Sequence, residues 1–151
     1  MEHQHHQKEV KSENIRALAF GATSHCLLGC GIGEVIGMIV SVQLELAMLT
    51  ATIVSIFFGF IMGLALGVIP LIKRNLAMNK ALQIVIIGEG LSIAVMETFE
   101  VIAQMAIPGV MTAQLSDLLF WQGMFASLVV GFIAAFPVNY IMIKRGIRHQ
   151  H

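Results

Sequence analysis

Four long apolar runs separated by three short polar breaks organise the 151-residue chain. The runs extend from about Ala17 to Val42, Leu46 to Ile72, Ala81 to Ile107 and Leu118 to Ile143. Each exceeds the roughly 20 mostly apolar residues that a helix needs to cross a bilayer. The breaks are Ser41 to Glu45, Lys73 to Lys80, and Pro108 to Asp117, the last opened by a Pro-Gly pair that stops a helix. The pattern predicts an all-α protein, a four-helix transmembrane bundle. Residues 1–16 are expected to be a mobile tail containing His3, His5 and His6. Residues 17–146 are the expected membrane domain, and residues 147–151 a C-terminal tail with His149 and His151.

Polar residues inside the runs recur at helical steps. In the first run Cys26, Cys30, Glu34 and Met38 stand four apart. A step of four turns a helix by about 40°, so they form one slowly rotating stripe, with His25 at its edge beside Cys26. In the third run Glu89, Ser92, Met96, Glu97, Glu100 and Gln104 fall within an arc of roughly 140°, opposite a face of Ile, Val and Leu. Such an arc faces protein or water rather than lipid. The second and fourth runs carry small residues instead: Gly59, Gly63 and Gly67, and Ser127, Gly131 and Ala135, again at steps of four. Small residues at that spacing let helices approach closely in lipid, so these are predicted packing seams, within one chain or between subunits.

Composition supports the membrane assignment. The chain is 57% hydrophobic and 12% charged, against about 25% charged in a soluble domain, too few to cover a soluble surface. Charge also orients it. All nine cations (Lys8, Lys11, Arg16, Lys73, Arg74, Lys80, Lys144, Arg145, Arg148) lie in the tails or the middle break; the other two breaks hold Glu45 and Asp117 instead. Positive short segments stay cytoplasmic, so both termini are expected inside, in a multi-pass protein of a bacterial inner membrane. A formal net charge of zero gives no reason to expect a nucleic-acid partner. The N-terminus is acidic as well as basic and lacks a small-residue cleavage site, so the first helix is expected to be retained.

The blocks around these positions resemble a known family. His25-Cys26-Leu27-Leu28-Gly29-Cys30-Gly31-Ile32-Gly33-Glu34-Val35-Ile36-Gly37-Met38 is similar to the opening block of a bacterial membrane family catalogued as domain of unknown function 4396. Leu91 to Glu97, Phe120-Trp121, and Phe132 to Asn139 are similar to its later blocks. The resemblance implies a small integral membrane protein and brings no established activity.

The functional expectation therefore rests on residue chemistry. Glu34, Glu89, Glu97 and Glu100 lie inside apolar runs that contain no Lys or Arg. A carboxylate at membrane depth is costly without compensation, which a metal cation or a proton would supply. Thiolates and thioethers favour soft ions. The expected function is binding or translocation of a metal cation, with Cu(I) favoured and Zn(II) or Mn(II) as alternatives. His25, Cys26, Cys30, Glu34, Met38, Met96, Glu97 and Glu100 are the expected ligands, and Glu89, Ser92 and Gln104 line the path. Two rival readings are a module that docks a partner membrane protein or a second copy, and a proton-coupled carrier of a small organic cation. No catalytic constellation is legible: phosphate loop, dinucleotide fingerprint, HExxH and CxxCH are absent from the sequence.

Overall fold

The apolar runs become α1 (Glu2–Gln43), α2 (Met48–Lys73), α3 (Met78–Ala106) and α4 (Leu118–Lys144), with a 3-10 turn, η1 (Val110–Thr112), inside the last connection. The computed structural model describes residues 2–73 and 75–145, and the side chains of 14–69, 71–73 and 75–145. The side chains of His3, His5 and His6 and the whole of residues 147–151 lie outside the described residues. No strand occurs among the described residues, so the all-α expectation holds. Apart from the start of α1, each helix end falls within three residues of the break that predicted it.

Local chemistry explains the stops. After α1, Glu45 adopts a left-handed backbone (φ 51), Leu46 N–H donates to Ser41 O at 3.0 Å, and Glu45 N–H donates to Val42 O at 3.2 Å. After α2, Asn75 (φ 62) does the same, with Leu76 N–H on Leu71 O and Asn75 N–H on Ile72 O. Both are Schellman closures, which satisfy the last helix carbonyls. α3 ends where Pro108 forces Ile107 into extended backbone (φ −95, ψ 114), followed by left-handed Gly109. Asp117 Oδ2 then accepts from Gln114 N–H at 2.8 Å, and the Trp121 indole N–H donates to Leu115 O at 3.0 Å, fixing the entry to α4.

The helices alternate in direction and pack as a square: α1 against α2, α2 against α3, α3 against α4, and α4 against α1, with α1 and α3 on a diagonal. The α1–α2 and α3–α4 connections share one end, which carries Glu45 and Asp117. The α2–α3 connection, with Lys73 and Lys80, shares the other with Lys144 and Arg145.

Glycine sets the α1–α2 distance. A Cβ on Gly29 would lie 2.6 Å from Gly63 Cα, one on Gly33 would lie 2.5 Å from Gly59 Cα, and one on Gly37 would lie 2.5 Å from Ser55 Cα. Backbone meets backbone at all three levels, as small-residue seams allow. The predicted stripe Gly59, Gly63 and Gly67 is therefore used inside the chain, as are Ser127, Gly131 and Ala135, all buried. α4 is tied to α1 by Asn139, whose amide Nδ2 donates to Thr23 Oγ1 at 2.8 Å.

Burial is inverted relative to a soluble protein. Leu28, Ile32, Ile53, Phe57, Ile87, Phe125 and Ile133 face outward, whereas Glu34, Glu89, Ser92, Glu97, Glu100, Ser127 and Asn139 are buried. Water would reward the opposite arrangement. Among the described residues, three segments are long and apolar enough to cross a membrane: Asn14–Gln43, Met48–Lys73 and Leu118–Lys144. α3 has the length, at 29 residues, but carries Glu89, Glu97 and Glu100, each turned toward the other helices.

Candidate metal centre

Three of the four glutamates inside the apolar runs meet. Glu34 on α1 and Glu97 and Glu100 on α3 can each bring a carboxylate oxygen within 4.8 Å of the other two; among the described residues no other group of three His, Cys, Asp or Glu does so. The diagonal helices are brought within reach by the glycines of α2 and α4. A Cβ on Gly59 would collide with Glu97 Oε1, and one on Gly131 would lie 2.6 Å from Glu100 Cγ and Oε1. Each glycine leaves a socket occupied by one glutamate. Gly67 does the same for Glu89, whose Oε2 lies 2.5 Å from where a Cβ would be.

The three acids are withdrawn from the surface: Glu34 is 7% exposed, Glu97 4% and Glu100 0%. None of the four oxygens of Glu97 and Glu100 accepts a hydrogen bond of ordinary geometry. Their nearest electrostatic neighbours are one another, Glu34 and the Cys30 thiol, and none of these is cationic. Burying an ionised carboxylate without a partner is strongly unfavourable, so positive charge must come from protons or from a bound cation.

The other expected ligands divide. Cys26, Cys30 and Met96 lie together in one buried cluster with Ile93 and Ala135, bordered by Leu27, Phe60 and Leu64. Neither cysteine is in a disulfide. His25 is exposed, so the structure does not bring its imidazole to the buried sulfurs. Met38 is half-buried and lines a cavity beyond Glu34. Glu89 and Ser92 are buried on the cation-rich side of the triad, and Gln104 lies on the other, donating from Nε2 to Ser127 Oγ at 3.3 Å.

The register between α1 and α3 differs from the one expected for helices rising in parallel from their first apolar residues. That count sets Cys26 and Cys30 level with Glu89, and Glu34 slightly short of Met96. In the structure the cysteines lie against Ile93 and Met96, and Glu34 meets Glu97 and Glu100, a shift of about one helical turn. The two glycine seams set this register. The count also misses Ser55, whose Oγ is buried without a hydrogen-bond partner and which lines the same cavity as Glu34. Its place in the four-residue stripe with Gly59 was the signal available.

The chain belongs to the family described as domain of unknown function DUF4396, whose model matches residues 17–148. No curated protein and no solved structure matches it.

Proposed function

We propose that this protein is a four-span membrane protein that binds a divalent metal cation at Glu34, Glu97 and Glu100, as a carrier or sensor of that ion. The observation that carries the reading is the convergence of three buried carboxylates from two diagonal helices, with no cationic side chain among the described neighbours of Glu97 and Glu100. Three carboxylates offer six oxygens and three negative charges. Oxygen-rich sets suit Mn(II), Mg(II) or Ca(II), with Zn(II) also taking carboxylate ligands. The expected preference for Cu(I) therefore moves toward a harder ion.

The soft-ion reading keeps one supporting observation: Cys26, Cys30 and Met96 share a cluster, and Cys30 neighbours Glu97. The two readings separate cleanly. Purified protein loaded with Mn(II), Zn(II) or Cu(I) and desalted should retain about one Mn(II) or Zn(II) per chain by elemental analysis. The Cys26→Ser/Cys30→Ser double variant should retain the same amount. Loss of retention in that variant, or retention of Cu(I) alone, would shift the site to the sulfur cluster.

Membrane placement follows from the same geometry. α3 turns its acids toward the other helices and Ile86, Ile87, Leu91 and Ile102 outward, so its acids do not meet lipid, and it crosses with its neighbours. The end bearing Lys73, Lys80, Lys144 and Arg145 is assigned to the cytoplasm. A cysteine at Asn75, in the α2–α3 connection, should react with a membrane-impermeant maleimide only after cells are permeabilised. Labelling of intact cells would invert the orientation.

A further inference from the structure

On the side of the α1–α2 loop and η1, a cavity of about 360 Å³ reaches down to Glu34. Its walls include Met38 on α1, Thr52 and Ser55 on α2, Gln104 on α3, and Thr112 on η1. Glu45 stands at its rim, in the acidic loop. On the opposite side, among the described residues, Glu89 and Ser92 are buried beside two apolar clusters. Cys26, Cys30, Ile93, Met96 and Ala135 form the first, and Val68, Leu71, Ala81 and Val85 the second.

Glu34 is the residue common to both features. It lines the cavity and belongs to the three-glutamate group. Glu97 and Glu100 do not line the cavity, and their oxygens are buried. Ser55 Oγ, a further cavity-side polar atom, is buried without a hydrogen-bond partner. A divalent ion with a shell of about six waters needs roughly 200 Å³, taking about 30 Å³ per water. The cavity accommodates that, whereas the space among the three carboxylates suits an ion that has exchanged water for protein oxygen.

We infer that this cavity is the vestibule by which a hydrated divalent cation reaches the centre from the acidic-loop end, with Glu34 as the first ligand and Glu97 and Glu100 as the completing pair. The inference rests on the divalent-cation reading of the triad and adds to it a side of entry and an order of ligation. Glu45 concentrates cations at the rim, and the Ser, Thr and Gln groups set in a largely apolar wall replace part of the hydration shell as the ion descends.

The test uses full-length protein in detergent, where both ends meet the solution. Thr52→Cys and Thr112→Cys place a thiol on opposite walls of the vestibule, and Asn75→Cys places one at the other end. Cys26 and Cys30 are both 0% exposed, and their protection from the reagent is checked on the wild type by mass. Each variant is compared with itself before and after a bulky maleimide, by following the loss of the free Mn(II) EPR signal after rapid mixing. Modification at Thr52→Cys and at Thr112→Cys should each slow association by at least about tenfold, within the range over which association rates vary among variants of one interface. Modification of Asn75→Cys should leave the rate within about twofold. Complete modification of both wall positions with no change in rate overturns the vestibule, as does slowing from Asn75→Cys. If the unmodified wild type binds Mn(II) with normal stoichiometry in the same experiment, such a result leaves the three-glutamate centre standing. If the wild type binds none, both the centre and its vestibule are wrong.

Discussion

Replacing Glu97 and Glu100 together by glutamine should weaken divalent-cation binding by more than about a hundredfold while the bundle stays folded. Glutamine keeps the shape of glutamate and its sockets beside Gly59 and Gly131, so the packing of α2, α3 and α4 is retained. It removes two of the three charges that face one another in the core. Losing even a supporting partner of a metal ligand costs about 10–100-fold in affinity, so loss of two ligands should exceed about a hundredfold. Unfolding in mixed detergent should be unchanged or slightly harder, because two buried carboxyls with no cationic partner among the described residues are replaced by neutral amides. The wild type should show a matching dependence on pH. Ligating carboxylates must be deprotonated, so apparent affinity falls as pH is lowered and recovers as it is raised. The remaining affinity of the double variant, now dependent on Glu34 alone, should respond less steeply. Wild-type binding that ignores pH, or a double variant that binds normally, would return these glutamates to a structural role.

How much of this was legible beforehand depends on which interactions decide each feature. Helix number and ends were legible because they are local: apolar length, Pro108-Gly109, and the polar breaks determine them. The inward face of α3 was legible too, since Glu89, Ser92, Met96, Glu97 and Glu100 fall on one arc and all five are buried. The grouping of Glu34 with Glu97 and Glu100 was legible only to about a turn. Depth counted along one helix says nothing about how far a neighbour has slid, and the slide here is set by Gly33 against Gly59 on one side and Gly59 against Glu97 on the other. His25 shows the other limit. Next to Cys26 in sequence, it turns about 100° away on the helix, far enough to leave the core while Cys26 stays in it. The small-residue stripes were read as packing seams, which they are, but their second use was not visible. Gly59, Gly67 and Gly131 make room for Glu97, Glu89 and Glu100, and only the assembled bundle shows which glycine faces which acid.

That second use gives the socket glycine Gly131 a different expected phenotype from the seam glycine Gly33 when each is changed to alanine. At Gly33 the new methyl group would run into the Phe58 carbonyl and lie 2.5 Å from Gly59 Cα. Backbone on both sides cannot move aside, so α1 and α2 must separate. Overpacking of this kind costs about 1–3 kcal/mol, partly offset by roughly 1 kcal/mol of better helix propensity. Gly33→Ala should therefore unfold at lower denaturant and bind cation poorly, because Glu34 is carried away with α1. At Gly131 the methyl group would meet Glu100 Cγ and Oε1, the flexible end of a side chain. Glu100 can rotate away and the helices need not part. Gly131→Ala should unfold much as the wild type does, yet lose about 10–100-fold in Mn(II) affinity because one ligand is displaced without any change in charge. A control at Gly21, where a Cβ meets nothing within 4 Å, should leave Mn(II) affinity unchanged and stability the same or slightly higher through helix propensity. If Gly131→Ala binds as tightly as the wild type, Glu100 is not held in place by its glycine socket. If it loses stability in proportion to affinity, the socket serves packing alone.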